Sequence, residues 1–116
     1  MRGKAFLLVA LFALSSVFFI DVCGLVFGCG CRSLWAGASE ACNIHSEAPP
    51  HCPWCAHPIA AGAVGFAAMA IVQTAIVLGP GRAGLLLRFA LALLSFPVTA
   101  GLVGTVQGFL WEYWGP

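Results

Sequence analysis

The sequence predicts an all-α membrane protein with three transmembrane helices and one irregular loop rich in cysteine and histidine. Of its 116 residues, 61% are hydrophobic and 8% charged, outside the range of soluble globular domains. Three apolar stretches, residues 5–27, 58–78 and 84–110, are each long enough to cross a hydrocarbon core of about 30 Å at about 1.5 Å per helical residue. Between the first two, residues 28–57 hold five of the six cysteines and all three histidines. The chain reads as a single membrane domain, 1–116, with 28–57 as an exoplasmic loop. A net charge of +1 and the lack of any long basic run exclude nucleic acid as a partner.

The first segment is rich in Phe, Leu and Val and follows Arg2 and Lys4. A charged start and Ala13-Leu14-Ser15 are features of a cleaved signal peptide, and Val26-Phe27-Gly28 before Cys29 of a lipoprotein. The apolar run continues well past Ser15, longer than a signal core, so the segment is expected to stay as an anchor. Asp21 near its outer end is a costly group within a membrane unless partnered. It is expected to reach water or Arg32. Cys23, close by, reads as a buried, inert thiol unless it bridges into the loop.

The second segment carries Ala60, Ala61, Gly62, Ala63, Gly65, Ala67, Ala68 and Ala70. The spacing of Ala61 and Gly65, and of Gly104 and Gly108 in the third segment, lets helix backbones approach closely. Gly79-Pro80-Gly81-Arg82-Ala83 permits only a tight reversal, so these two helices form an antiparallel hairpin. Arg88, one turn inside the third segment, is expected to snorkel to the headgroups, and Pro97 to kink the helix without ending it. Gln73, Thr74, Thr99 and Gln107 suit hydrogen bonds between helices. Trp111, Tyr113 and Trp114 form an aromatic belt at the outer interface, with Trp35 and Trp54 expected at the same level.

Charge sets the orientation. Arg2, Lys4, Arg82 and Arg88 flank one side, whereas the loop has Arg32 against Glu40 and Glu47; the positive side faces the cytoplasm. The expected location is an inner or cytoplasmic membrane with a cytoplasmic N-terminus, and with the loop and C-terminus exoplasmic. Neighbouring thiols in such a compartment are oxidised unless a metal or a catalytic cycle keeps them reduced.

Within the loop, Cys42-Asn43-Ile44-His45 is a C-x-x-H pair and Cys52-Pro53-Trp54-Cys55 a C-x-x-C pair. Each spacing lets two side chains converge on one ion, so Cys42, His45, Cys52 and Cys55 form a candidate tetrahedral Zn²⁺ site, with His51 and His57 as alternative ligands. The same set suits Cu(I). Cys29 and Cys31 are too close in sequence to bridge each other without strain. They are expected to pair elsewhere, and Cys29, Cys31, Cys42, Cys52 and Cys55 are all disulfide candidates. Stapling is the leading expectation, because a loop this short and polar lacks a core of its own; the turn signals at Ala48-Pro49-Pro50 and Cys52-Pro53 fit an irregular, stapled segment.

Thiol chemistry is the alternative, with Cys52 and Cys55 as catalytic residues at the start of a helix that lowers a thiol pKa. A C-x-x-C at the outer end of a membrane helix, beside a second cysteine pair, resembles the arrangement in the DsbB and vitamin K epoxide reductase families. The resemblance covers Cys52 to Cys55 and their setting, in families with more than three spans, and implies a quinone as electron acceptor. Covalent haem is disfavoured, because attachment requires C-x-x-C-H and Ala56 separates the C-x-x-C from His57.

The functional expectation is a small, non-catalytic integral membrane subunit or accessory factor of a larger complex. Its partners would be the lipid bilayer and other membrane subunits, the latter packing against helices two and three. Its loop would be fixed by disulfides and hold a Zn or Cu ion. A membrane thiol oxidoreductase and a heavy-metal or copper handling protein are the other two readings.

Overall fold

A computed structural model describes residues 2–47 and 50–115. It is all helical, with no strand among the described residues. Helix α1 spans Arg2–Phe27, a short helix α2 Pro53–Ala56, α3 Val64–Leu78 and α4 Leu85–Leu110. A π-helical stretch, Pro58–Ala63, leads directly into α3, so that Pro58–Leu78 forms one apolar rod of 21 residues. With α1 and α4 this makes three helices long and apolar enough to cross a membrane. The loop contains two 3₁₀ turns, Leu34–Ala36 and Asn43–His45. Of the expected turn at Ala48-Pro49-Pro50, Ala48 and Pro49 lie outside the described residues.

The helices run up, down and up. Gly3 of α1 lies against Leu85 of α4, and Val26 and Phe27 lie against Gly104, so α1 and α4 are parallel. The connection at residues 79–84 turns α3 back antiparallel to α4. Leu11, Val77 and Ala92 form the core near the hairpin, while Val22, Phe27, Met69, Phe96 and Ala100 form it near the loop. Between them Gln73 is fully buried and ties the three helices: its Nε2 donates to Ser15 Oγ at 2.9 Å and to the Ala92 carbonyl at 3.3 Å. Thr74 instead donates to Ala70 in its own helix. Pro97 lies inside α4, which runs through it without a break.

Two aromatic and charged residues differ from expectation. Arg88 does not snorkel; it is 5% exposed and turns inward. Its guanidinium donates to the carbonyls of Ile76, Val77, Gly79, Gly81 and Ala83 at 2.8–3.1 Å. These include carbonyls that the end of α3 leaves without partners, and a buried guanidinium beside them is favoured over one drawn out to the headgroups. Trp54 is not at the interface either, being 4% exposed. Gly65 and Gly104 form a slot for its ring, where a Cβ would stand 3.1–3.2 Å from an indole carbon, and Gly62 lies against its backbone, where a Cβ would stand 3.2 Å from the Trp54 carbonyl oxygen. The small residues therefore admit an indole as well as neighbouring helices. Gln107 fixes the ring, accepting from Trp54 Nε1 at 2.5 Å while donating to the Ala61 carbonyl at 3.0 Å.

Candidate metal centre

The six cysteines arrive from separate parts of the chain. Cys23 comes from the last turn of α1, Cys29 and Cys31 from the segment after it, Cys42 from just before the second 3₁₀ turn, and Cys52 and Cys55 from the ends of one turn of α2. Local backbone features bring them together. Gly28, at φ +57°, ends α1 with its N–H on the Gly24 carbonyl, and the chain then folds back over the helix. Gly24 makes room for that return, because a Cβ there would stand 2.5 Å from the Cys31 carbonyl oxygen. Gly30 is left-handed at φ +94°, and a Cβ on it would strike the Ala41 carbonyl. Only glycine meets both conditions.

Asn43 is the hub that holds the loop. Its N–H donates to the Cys29 carbonyl at 2.8 Å, its Oδ1 accepts from the Cys52 N–H at 2.7 Å, and its Nδ2 donates to the Tyr113 hydroxyl at 2.7 Å. Tyr113 in turn donates to the Phe27 carbonyl at 2.7 Å. Asn43 and Tyr113 together thus link the loop, the approach to α2, the end of α1 and the tail after α4.

The sulfurs face one another. Cys23 Sγ lies 3.2 Å from Cys52, 3.7 Å from Cys29 and 4.0 Å from Cys55, and Cys31 lies 3.5 Å from Cys55. They form four triads whose sulfurs are all within 4.8 Å of one another: Cys23–Cys52–Cys55, Cys23–Cys29–Cys31, Cys29–Cys42–Cys52 and Cys31–Cys42–Cys55. Each cysteine belongs to two triads and so has four sulfur neighbours. The pairs that share no triad are Cys23 with Cys42, Cys29 with Cys55, and Cys31 with Cys52. Six vertices, each adjacent to four and opposite to one, have the connectivity of an octahedron, and the triads are its alternate faces.

All six thiols are free, five of them buried and Cys55 half-buried. The disulfide staples expected from the sequence are therefore not formed. The physical reason is geometric: a bridge needs sulfurs about 2.05 Å apart, whereas the contacts here run from 3.2 to 4.0 Å and each sulfur is shared among several neighbours. Of the proposed tetrahedral set, Cys42 and Cys52 share one triad, Cys42 and Cys55 another, and Cys52 and Cys55 a third. His45 stands apart, with Nε2 2.9 Å from the Ser39 carbonyl. His51 Nε2 lies 2.8 Å from the Ser46 carbonyl, and the His57 ring rests 5.4 Å from that of Trp111. None of the three enters a triad. Cys23, expected from the sequence to be an inert buried thiol, instead joins two of the triads; its place near the end of a helix leading into the cysteine-rich loop is the signal for it.

The thiols outside the spanning helices are not equivalent. Hydrogen bonding from Cys23, and then from Cys52 and Cys55, holds the Cys29 thiol below its ordinary range. Cys52 is also lowered, chiefly by Cys23. Burial, followed by hydrogen bonding with Cys29 and Cys42, pushes Cys31 up to about 12. Part of the cage is thus poised to supply thiolate while Cys31 keeps its proton until something replaces it.

Below the cage, Trp54 stacks on Phe19 with centroids 4.4 Å apart and meets Phe27 edge-on at 5.3 Å. A groove of about 180 Å³, lined by Phe19, Ile20, Cys23, Trp54 and Cys55, reaches the sulfurs from the side. Nearby, Asp21 accepts from Ser33 Oγ, while its buried Oδ2 has no partner among the described residues. Six soft donors enclosed in this way can bind soft metal ions or exchange disulfides. No family model, curated protein or solved structure matches the chain.

Proposed function

We propose that this protein is a membrane-anchored binding site for soft metal ions, a copper- or heavy-metal-handling protein with its sulfur cage on the exoplasmic side. The observation that carries this reading is the convergence of all six cysteines on one another, five of them from the segment after α1 and one from α1 itself. Thiolates in this number select soft cations over hard ones. Orientation rests on charge: Arg2 and Lys4 begin α1 beside the start of α4, where Arg82 also lies, at the end of the bundle away from the cage. In an oxidising compartment, metal ligation is a direct way to keep adjacent thiols from pairing. The exposed Phe6, Leu25, Leu86 and Leu102 suit lipid, so the accessory-subunit reading continues to rest on the sequence.

The test is anaerobic loading of the purified chain in mild detergent with Cu(I) or Zn²⁺, followed by desalting, metal analysis and alkylation. Retained metal with thiols shielded from alkylation is the expected result. Six alkylated thiols and no retained metal would reject the reading.

Oxidation of a thiol pair to a disulfide, as in a membrane thiol oxidoreductase, is the second reading, favoured by the 3.2 Å approach of Cys23 to Cys52. In that reaction the two thiols form one S–S bond and release two protons and two electrons to a quinone-type acceptor. Unchanged client oxidation in a strain carrying Cys23→Ser and Cys52→Ser would dismiss it.

A further inference from the structure

Resting on the soft-metal reading, we infer that the cage is built for a polynuclear cluster of four Cu(I) ions, one in each cysteine triad, with every sulfur bridging two ions. The evidence is the pattern of the triads. Four triads drawn from six sulfurs, with each sulfur used twice, is the arrangement in which four three-coordinate metals share six thiolates. A site for one ion has no reason to satisfy it.

The grouping of the sulfurs, more than their spacing, discriminates between the alternatives. Three sulfurs about 2.3 Å from a metal at their centre stand about 4.0 Å apart, and the contacts here are 3.2, 3.5, 3.7 and 4.0 Å. A closed tetrahedral Zn²⁺ site instead needs four donors all about 3.8 Å from one another. Among the described residues the mutually close groups stop at three, and no imidazole or carboxylate completes one. Zn²⁺ in a triad would therefore lack a fourth protein ligand. Cu(I) is soft, closed-shell and satisfied by three thiolates. The enclosure suits it as well, since five of the six sulfurs are buried and aromatic rings floor the cage.

The loading reaction balances without electron transfer. Counted from six thiols, four Cu⁺ ions bind, six protons leave and a [Cu₄(S-Cys)₆] cluster of charge −2 remains; any cysteine already present as thiolate releases one proton fewer. Copper enters as Cu(I), so no reductant is consumed. The groove beside Cys23 and Cys55 provides a side entry for an ion carried by a thiolate or thioether donor.

The test is a titration of the full chain in detergent with Cu(I) under anaerobic conditions against a competing chelator, with copper X-ray absorption on the saturated sample. The expected result is saturation at four ions per chain, filled cooperatively, with a sulfur shell near about 2.3 Å and a copper–copper shell. One bound ion, or any saturating number below four in the folded protein, overturns the cluster but leaves a soft-metal site standing. No bound metal overturns both readings. Cys42→Ser removes a vertex shared by two triads and is expected to reduce saturation to about two ions; full saturation in this variant counts against the cluster. His45→Ala is expected to keep four. Helix content by circular dichroism accompanies each titration, and Cys29→Ser serves as a second vertex variant if Cys42→Ser misfolds.

Discussion

At the hairpin end of the bundle, Arg88 brings its guanidinium into a ring of backbone carbonyls from Ile76 to Ala83, and each contact is an ordinary hydrogen bond. At the loop end, six thiols gather with little besides one another for company. Both ends bury polar atoms, but the first joins strong donors to strong acceptors, whereas the second assembles weak donors and weak acceptors of one kind. The carbonyl ring around Arg88 is saturated internally, whereas the thiol cluster has donor capacity left for a ligand.

The largest expected effect comes from adding or removing metal. Metal bound to the folded state alone stabilises it by about 4 kcal/mol when free metal is about 1,000 times the dissociation constant. Thermal unfolding in detergent with and without a chelator should show this, and hydrogen exchange should assign the gain to the loop and the adjoining end of α1. Equal protection around residues 76–88 would erase the distinction between the two ends.

Breaking the opposite end should cost nearly as much. Arg88→Met removes every side-chain donor from the carbonyl ring, and a loss of about 3 kcal/mol is expected from the buried acceptors left unpaired. Metal stoichiometry should be unchanged. An unaltered unfolding temperature would mean that the ring is held by something other than Arg88.

Tyr113→Phe is a gentler probe of the loop end. It deletes the hydroxyl between Asn43 and the Phe27 carbonyl, and about 1 to 2 kcal/mol of stability should go with it. Metal affinity should weaken as the Asn43 hub loosens. If stability falls while affinity stays the same, the hub supports the fold without positioning the sulfurs.

The smallest effect is on pH dependence. Metal must displace the Cys31 proton at any pH below about 12, so apparent affinity should rise with pH through the neutral range and weaken on acidification. In Cys31→Ser that proton is no longer released, and the affinity–pH slope should be shallower. An unchanged slope would separate Cys31 from the metal.

Much of this was legible in the sequence, for reasons that differ by region. The spanning segments follow from hydropathy, so 58–78 agrees with Pro58–Leu78, and 84–110 differs from Leu85–Leu110 by one residue. The first segment was expected from residue 5, yet α1 starts at Arg2, because charged residues outside the apolar run can still extend a helix. The concentration of cysteines was equally plain. Its geometry was not, because Cys23 meets Cys52 through a fold-back over Gly24 that no local spacing encodes. The C-x-x-H spacing suggested His45 as a ligand, but the ring is engaged by the Ser39 carbonyl. Trp54 and Arg88 escaped for a related reason: an amphipathic side chain near a helix end can reach outward or inward, and the neighbours that decide are distant in sequence.

The aromatic floor formed by Phe19, Trp54 and Phe27 bears on direction. A pore needs a hydrated path below its entrance, and here the next layer down is packed rings, followed by Met69, Phe96 and Ala100. An ion held in the cage would reach a cul-de-sac and would leave on the side from which it came. On the soft-metal reading proposed above, the cage would be a berth at one end of the bundle and not a station on a path through it.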